Sequence, residues 1–180
     1  MKTNDLHKEI KKFNNILSNH EEIFLKIKNE TIWDDSMHSR KTISYGIPYN
    51  YSNMSYKLTP FPSDIEKMAF IIQKHLGFKP NNCLINYYNT GFSRMGFHSD
   101  QIDILHKKTG IAIISLGNER IMRFKDKNSG SVFFDFILKP NSLFYMSAEI
   151  QKEWLHSILP DKLDSSKDRI SLTFRKIDYK

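Results

Sequence analysis

Two histidines and one aspartate in the second half of the sequence could together bind a metal ion. His98 and Asp100 are separated by one residue and follow a turn signal at residues 89–91, while His156 lies in a later β-rich run. Two imidazoles and a carboxylate on one face of a metal leave positions open, as in non-haem iron(II) oxygenases, although they also suit zinc or manganese. His-x-Asp triplets are common by chance. The alternative is a loop histidine at position 98 and a hydrogen-bonded core histidine at position 156.

The segment 169–175 (RISLTFR) adds groups that could bind an anion. In a strand, alternate residues share a face, so Arg169, Ser171, Thr173 and Arg175 would point one way and the apolar residues the other. Two arginines that face the interior are costly to bury without an anion, and the guanidinium fork suits carboxylates. The pattern favours a dicarboxylate co-substrate. An edge strand with its polar face in water is the alternative.

Asn86 and Tyr88 alternate on the strand that precedes His98. They could donate further hydrogen bonds to the same carboxylate, or they could be ordinary strand residues.

The elements that must position these groups are short and mostly β-rich. Seven β-rich runs separated by turn signals cover residues 83–88, 110–116, 121–125, 131–138, 142–146, 153–159 and 169–177. Before them, residues 63–76 read as a helix with a capping box from Ser63 to Glu66, ending before Gly77. Residues 5–29 have helical spacing, with a possible break at residues 19–20. We therefore predict an α+β protein with a jelly-roll β core and N-terminal helices packed outside.

Composition sets the broad class. The chain has 180 residues, of which 39% are hydrophobic and 26% charged, which fits one globular domain. A single cysteine excludes an internal disulfide framework and a cysteine-based zinc or iron–sulfur site. No apolar run approaches the roughly 18 residues of a membrane span, and the N-terminus lacks a signal-peptide core. We expect a soluble, cytoplasmic monomer that does not engage membranes.

The net charge of +7 is a modest indication of an anionic partner. The densest basic stretch is residues 120–127 (RIMRFKDK), where Arg123, Lys125 and Lys127 would share one strand face. That face is either simply solvated or a stripe that contacts phosphates.

Five segments in this order resemble the AlkB family of Fe(II)- and 2-oxoglutarate-dependent dioxygenases. They are residues 84–88 (LINYY), 96–100 (GFHSD), 114–117 (ISLG), 154–156 (WLH) and 169–175 (RISLTFR). Residues 40–46 and 49–52 are similar to the family's nucleotide-recognition segment. The resemblance covers about residues 33–177 and implies a double-stranded β-helix. We therefore predict one domain over residues 1–180, with helix and substrate recognition at about 33–80 and the catalytic β core at 82–177.

The resemblance also implies roles for individual residues. His98, Asp100 and His156 would bind iron. The co-substrate 2-oxoglutarate would contact Asn86, Tyr88, Arg169, Ser171 and Arg175. The candidates for substrate contact are Tyr51, which aligns with a base-stacking aromatic, Arg40 and Asp103. Repair members carry an acidic residue two positions after the metal aspartate, where this chain has Ile102, so Asp103 is the nearest replacement.

The implied cofactors are Fe(II), 2-oxoglutarate and dioxygen, which together oxidise an N-methyl group that is then lost as formaldehyde. The predicted substrate is an N-alkylated base in DNA or RNA. A small molecule, amino acid or peptide is the alternative, favoured by Ile102. A binding module without chemistry is disfavoured because every metal and co-substrate position is filled.

Overall fold

Two antiparallel sheets form the framework of the protein. The computed structural model describes residues 3–49, 56–131, 133–161, 163–164 and 166–178. In chain order its elements are α1 (Thr3–Lys8), β1 (Ile10–Asn14), α2 (His20–Glu30), β2 (Lys41–Gly46), α3 (Ser63–Leu76), β3 (Asn82–Tyr88), β4 (Met95–His98), β5 (Gly110–Gly117), β6 (Arg120–Asp126), β7 (Phe133–Leu138), β8 (Ser142–Ser147), α4 (Ile150–Glu153), β9 (Trp154–Ile158) and β10 (Arg169–Arg175). The large sheet has the order β1-β8-β5-β10-β3-β2, and the small sheet has the order β4-β9-β6-β7. This arrangement confirms the predicted α+β, double-stranded β-helix class.

The outer side of the large sheet is covered by α2 and α3. Ile170, Leu172 and Phe174 of β10 are fully buried there, because alternate residues of a strand share one face. The helices contribute their own apolar side chains to this cluster, namely Ile23, Ile27, Ile65, Met68, Ala69 and Ile72. Residues of the large sheet thus make one continuous apolar layer with the helices.

The inner side of the large sheet faces the small sheet. Part of this interior is a second apolar cluster, to which both sheets contribute, with Phe124 and Phe136 from one and Phe144 from the other. The remainder is polar and lies around β10. That strand runs between β5 and β3, so the alternative of a solvated edge strand is wrong.

The predicted helix at 63–76 is confirmed as α3, but its predicted cap is wrong. Ser63 is already helical, the cap position is Pro62, and no side chain caps the first turn. The C-terminal end follows the prediction, since Gly77 has a φ of +79° and its N–H donates to the carbonyl of Gln73.

The N-terminal prediction is wrong in its middle part. Residues 5–29 contain a strand, β1, between two helices, and β1 pairs with the edge of the large sheet at β8. Ile10 and Phe13 have a spacing that suits a helix, yet pairing satisfies the backbone groups of β8 that would otherwise form an open edge. Two further short strands, β2 and β4, were not predicted. In β2 the buried residues, Thr42 and Ser44, are polar, whereas the apolar Ile43 and Tyr45 between them are only partly buried.

Among the helices that the structure describes, none has both the length and the apolar composition needed to cross a bilayer.

Candidate metal and co-substrate site

The structure brings His98, Asp100 and His156 together between the sheets. His98 ends β4, and its backbone partner across the small sheet is His156 in β9. One possible ligand atom from each of the three residues lies within 4.8 Å of the others, and the two imidazole centroids are 4.3 Å apart. Nε2 of His156 is 3.5 Å from Oδ2 of Asp100. Two imidazoles and a carboxylate at this spacing could hold one divalent ion.

Neighbouring groups fix the orientation of Asp100. Its backbone N–H donates to Oε1 of Gln151 at 2.9 Å, and Arg175 donates to its Oδ1. The hydroxyl of Tyr49 lies 3.4 Å from the same oxygen, and the guanidinium of Arg175 stacks 3.9 Å from the centre of the Tyr49 ring. Such supporting contacts determine which carboxylate oxygen faces a metal.

Electrostatics favour the protonation states that bind metals. Burial alone would raise the pKa of Asp100, but the charge of Arg175, aided by His156 and His98, lowers it to about 2. Burial, reinforced by His98, lowers the pKa of His156 to about 3. At neutral pH the site therefore offers a carboxylate and a neutral imidazole, which are the ligand forms of these side chains.

A cavity of about 430 Å³ opens over this cluster. Arg40 and Asn86 lie on its wall, and Nε of Arg40 donates to Oδ1 of Asn86 at 2.8 Å. The other lining residues are Met37, Tyr49, Leu84, Met95, Gly96, Phe97, His98, Ser99, Asp100, Gln101, Thr173 and Arg175.

Arg169 lies deeper between the sheets and is fully buried. Its Nη2 donates to Oγ of Ser115 at 2.9 Å, and its guanidinium carbon is 5.4 Å from the centre of the Tyr88 ring. Within the described part of the chain, its Nε and Nη1 have no hydrogen-bond partner. Burial, opposed by Tyr88 and reinforced by neighbouring Arg120, lowers the pKa of Arg169 to about 10. This guanidinium lacks a full set of acceptors, which an anionic carboxylate would supply.

The predicted co-substrate residues thus fall into two groups. Asn86 and Arg175 line the cavity beside the metal cluster. Tyr88, Arg169 and Ser171 are buried next to one another and do not line it. A dicarboxylate that reached from the metal cluster to Arg169 would bridge the two groups.

The predicted substrate residues do not all lie at the cavity. Arg40 lines the cavity, whereas Asp103 is exposed and is not part of the lining. Ile102 packs against the apolar cluster between the sheets, so the chain leaves the cavity after Gln101. Tyr51 lies outside the described residues.

Tyr49, Gln151 and Ser115 belong to the site but were not predicted. Ser115 had a visible signal, because it is the one hydroxyl residue in the otherwise apolar run 110–116. Tyr49 stood in a segment already noted for recognition, among other tyrosines. Gln151 had no signal, because its role comes from a contact with Asp100 that only the fold creates.

The basic stretch of β6 is only partly exposed. Met122 and Phe124 point into the core while Arg123 and Lys125 point outwards, as the alternation predicts. Arg120 is different from these cations, because it is buried and its Nη2 donates to the carbonyls of Thr90 and Lys167. A stripe that contacts phosphates cannot include it.

Comparison with known proteins adds a family assignment. Residues 6–175 match the model of the 2OG-Fe(II) oxygenase superfamily. Uncharacterized protein R406 of Acanthamoeba polyphaga mimivirus is 28% identical over 131 residues, covering 73% of this chain and 68% of that protein. Rat alpha-ketoglutarate-dependent dioxygenase alkB homolog 3 is 26% identical over 148 residues, covering 77% of this chain and 50% of that protein. Arabidopsis thaliana DNA oxidative demethylase ALKBH2 is 27% identical over 149 residues, covering 71% of this chain and 47% of that protein.

The chain therefore spans about half the length of the two named dioxygenases. Among solved structures, that of OsALKBH1 superposes with a TM-score of 0.73 at 15% identity, covering 93% of this chain and 98% of that one. At this identity the likeness concerns the fold.

Proposed function

Because the chain belongs to the 2OG-Fe(II) oxygenase superfamily and is AlkB-like, we propose that it oxidatively demethylates N-alkylated bases in DNA or RNA. The observation that carries the proposal is the cluster of His98, Asp100 and His156 beneath an open cavity. A site of this composition suits Fe(II). The carboxylate of 2-oxoglutarate would supply the hydrogen-bond acceptors that the buried guanidinium of Arg169 lacks.

The residues of the chain then have distinct tasks. His98, Asp100 and His156 hold the metal, while Arg175, Tyr49 and Gln151 keep the Asp100 carboxylate oriented. Arg169 binds the far carboxylate of 2-oxoglutarate, with Tyr88 and Ser171 beside it. When bound, Fe(II) supplies the activation of dioxygen that couples oxidation of 2-oxoglutarate to succinate with oxidation of the methyl group.

The substrate base would enter the cavity after leaving its stack. A volume of about 430 Å³ is sufficient for one nucleobase. Arg40, held by Asn86, lies on the wall where it can contact the base or its phosphate. Stacking by Tyr51 and base reading by Asp103 stay predictions.

The test uses oligonucleotides that carry 1-methyladenine or 3-methylcytosine, with Fe(II), ascorbate and 2-oxoglutarate. We expect equimolar succinate and formaldehyde together with loss of one methylene from the oligonucleotide. His98→Ala should produce none of these. Succinate without formaldehyde or a change in oligonucleotide mass would refute base demethylation and leave the oxygenase assignment intact.

A second candidate is the oxidation of a small molecule, amino acid or peptide by the same site. It is favoured by Ile102, which packs against the apolar cluster at the position where repair members usually carry an acidic residue, and by Asp103, which is not part of the cavity wall. Stimulation of succinate release by a methylated amino acid or peptide, but not by either oligonucleotide, would select this candidate.

A further inference from the structure

The outer face of the small sheet carries an aromatic pair next to the cavity. Phe97 of β4 and Phe133 of β7 are 41% and 47% exposed, and their ring centroids lie 6.2 Å apart. Because these rings face water, they do not contribute apolar burial to the core on the other side of the sheet. We call these two rings, with Arg123 and Lys125 between them, the Phe97–Phe133 face.

Cations accompany both rings. Nζ of Lys125 is 5.5 Å from the centre of the Phe97 ring, and the guanidinium carbon of Arg123 is 5.7 Å from that of Phe133. Asp135 holds Arg123 through two hydrogen bonds of 2.7 and 2.6 Å. Lys125 forms no ion pair with any described residue, so its charge is available to a ligand.

The face is continuous with the candidate active site. Phe97 directly precedes His98 and lines the cavity. Directly after β6, and two residues beyond Lys125, Nζ of Lys127 donates to Oγ of Ser99 at 3.1 Å and to the carbonyl of Gln151 at 2.7 Å. A nucleic-acid strand with one base in the cavity would therefore have its neighbouring nucleotides next to the rings of Phe97 and Phe133 and next to Lys125 and Lys127.

We propose that the Phe97–Phe133 face binds the unpaired nucleotides that flank the target base, so that the substrate is single-stranded nucleic acid. This inference rests on the proposed function. Its physical basis is that exposed aromatic rings stack on bases while adjacent cations contact the phosphates. A duplex hides its base faces within the helix and offers nothing for either ring to stack on.

The first experiment measures binding of a labelled oligothymidine of about twelve nucleotides, free or paired with its complement, by fluorescence anisotropy. We expect Phe133→Ala to weaken single-strand binding about tenfold, and Phe97→Ala/Phe133→Ala to weaken it about 50-fold or more. Binding of the duplex should be weaker from the start and change little. Phe133→Ala alone keeps the test valid if the change at Phe97 disturbs the neighbouring His98.

The chain supplies a matched control in α3. Phe70 is 54% exposed, and Nζ of Lys79 lies 4.0 Å from the centre of its ring, which reproduces the same aromatic–cation pairing away from the site. Phe70→Ala should leave oligonucleotide affinity unchanged. An equal loss in this variant would overturn the proposal, because the effect would then be a general property of exposed aromatics.

A second measurement concerns charge. Lys125→Ser should reduce the slope of log affinity against log salt by about 0.7 for the single strand, the value for one phosphate contact. Lys79→Ser should leave the slope unchanged. An unaltered slope in Lys125→Ser would remove the phosphate contact from the proposal and overturn that part of it.

The outcomes separate this inference from the proposed function. If wild-type protein releases formaldehyde but Phe133→Ala binds single strands like wild type, the face is refuted, a protein partner becomes its better occupant, and the demethylase stands. If the aromatic variants lose single-strand binding but no methylated oligonucleotide is turned over, the face is supported and base demethylation fails. A wild-type preference for the duplex would overturn the inference directly.

Discussion

The two sides of β10 show how one strand can serve stability and chemistry at once. All seven residues are buried, yet Ile170, Leu172 and Phe174 join the apolar layer under the helices, while Arg169 and Arg175 face the space between the sheets. Burial of apolar side chains stabilises the fold, whereas burial of a guanidinium opposes it unless an anion is present. We therefore expect substitutions on the apolar side of β10 to lower stability and substitutions on its polar side to lower co-substrate binding and activity.

Loss of a metal ligand should give the largest effect on activity and almost none on stability. His98 is half-buried, and its described hydrogen bond is to the carbonyl of Gly96 at 2.9 Å. We expect His98→Ala to reduce succinate formation by about three orders of magnitude or more, because the metal can no longer be held for catalysis. Its free energy of unfolding without metal, from urea titration, should stay within about 0.5 kcal/mol of wild type. Residual turnover at a tenth of the wild-type rate would contradict the ligand assignment.

Truncation on the outer side should do the opposite. Phe174 is fully buried in the layer beneath the helices, so Phe174→Ala leaves a large cavity and should cost about 3–5 kcal/mol of unfolding free energy. The fraction that remains folded should still bind the metal. Urea titration measures the loss, and Phe70→Ala, with its exposed ring, is the control expected within about 0.5 kcal/mol of wild type. A loss below about 1 kcal/mol for Phe174→Ala would show that the layer can collapse around the cavity.

Replacing Arg169 should separate stability from co-substrate binding. Burial lowers the pKa of Arg169 from its ordinary value to about 10, so the charged guanidinium opposes folding at any pH below about 10. This penalty disappears only as the pH rises from there towards the ordinary pKa of arginine. Arg169→Met should therefore leave the ligand-free protein as stable as wild type or about 1–3 kcal/mol more stable.

The same variant should lose its response to the co-substrate. With Mn(II) and N-oxalylglycine at about one hundred times the dissociation constant, wild type should gain about 2.7 kcal/mol in unfolding free energy. Arg169→Met should gain much less at the same concentrations. Arg175→Met is the informative comparison, because it removes a partner of buried Asp100 and should destabilise the ligand-free protein. Equal stabilisation of wild type and Arg169→Met by the analogue would refute the assignment of Arg169.

These contrasts also explain what could be predicted from sequence. Period-two alternation predicted the two sides of β10, and the residue types and the family resemblance predicted that His98 and His156 would meet at one metal site. The strand pairing that brings these two histidines together was not predicted, because β4 was not recognised in the sequence. The strand β1 could not be predicted, because Ile10 and Phe13 suit a helix equally well and the deciding factor is the open edge of β8. Interactions between distant segments cause such errors, since nothing in the local pattern reports them.

The site shows the same limit on a smaller scale. The residues proposed to hold the metal and the co-substrate were recognisable by chemical type and spacing. Gln151 and Tyr49 contact Asp100, and these contacts are visible only in the folded structure. Arg120 was counted in the densest basic stretch because charge was counted along the chain, although the predicted strand face held Arg123, Lys125 and Lys127. Its burial at 3% exposure, with two carbonyl acceptors, follows from the inward phase of the strand.

The smallest effect on the free energy of unfolding should come from breaking the ion pair of an arginine that is not buried. Arg123 and Asp135 form a two-bonded pair, as Arg175 and Asp100 form a pair in the interior, but both side chains of the surface pair are more than a third exposed. Its hydrogen bonds with Arg123 lower the pKa of Asp135, so the pair stabilises the protein at neutral pH, and this contribution is lost as the pH falls through that lowered pKa. Water screens the charges, and Asp135→Asn should cost only about 0.5 kcal/mol at pH 7, measured by urea titration at low salt. The cost should vanish near 1 M NaCl, because the Debye length is then about 3 Å. A loss above about 1.5 kcal/mol that persists in salt would mean that pairing, rather than burial, determines what an arginine contributes in this protein.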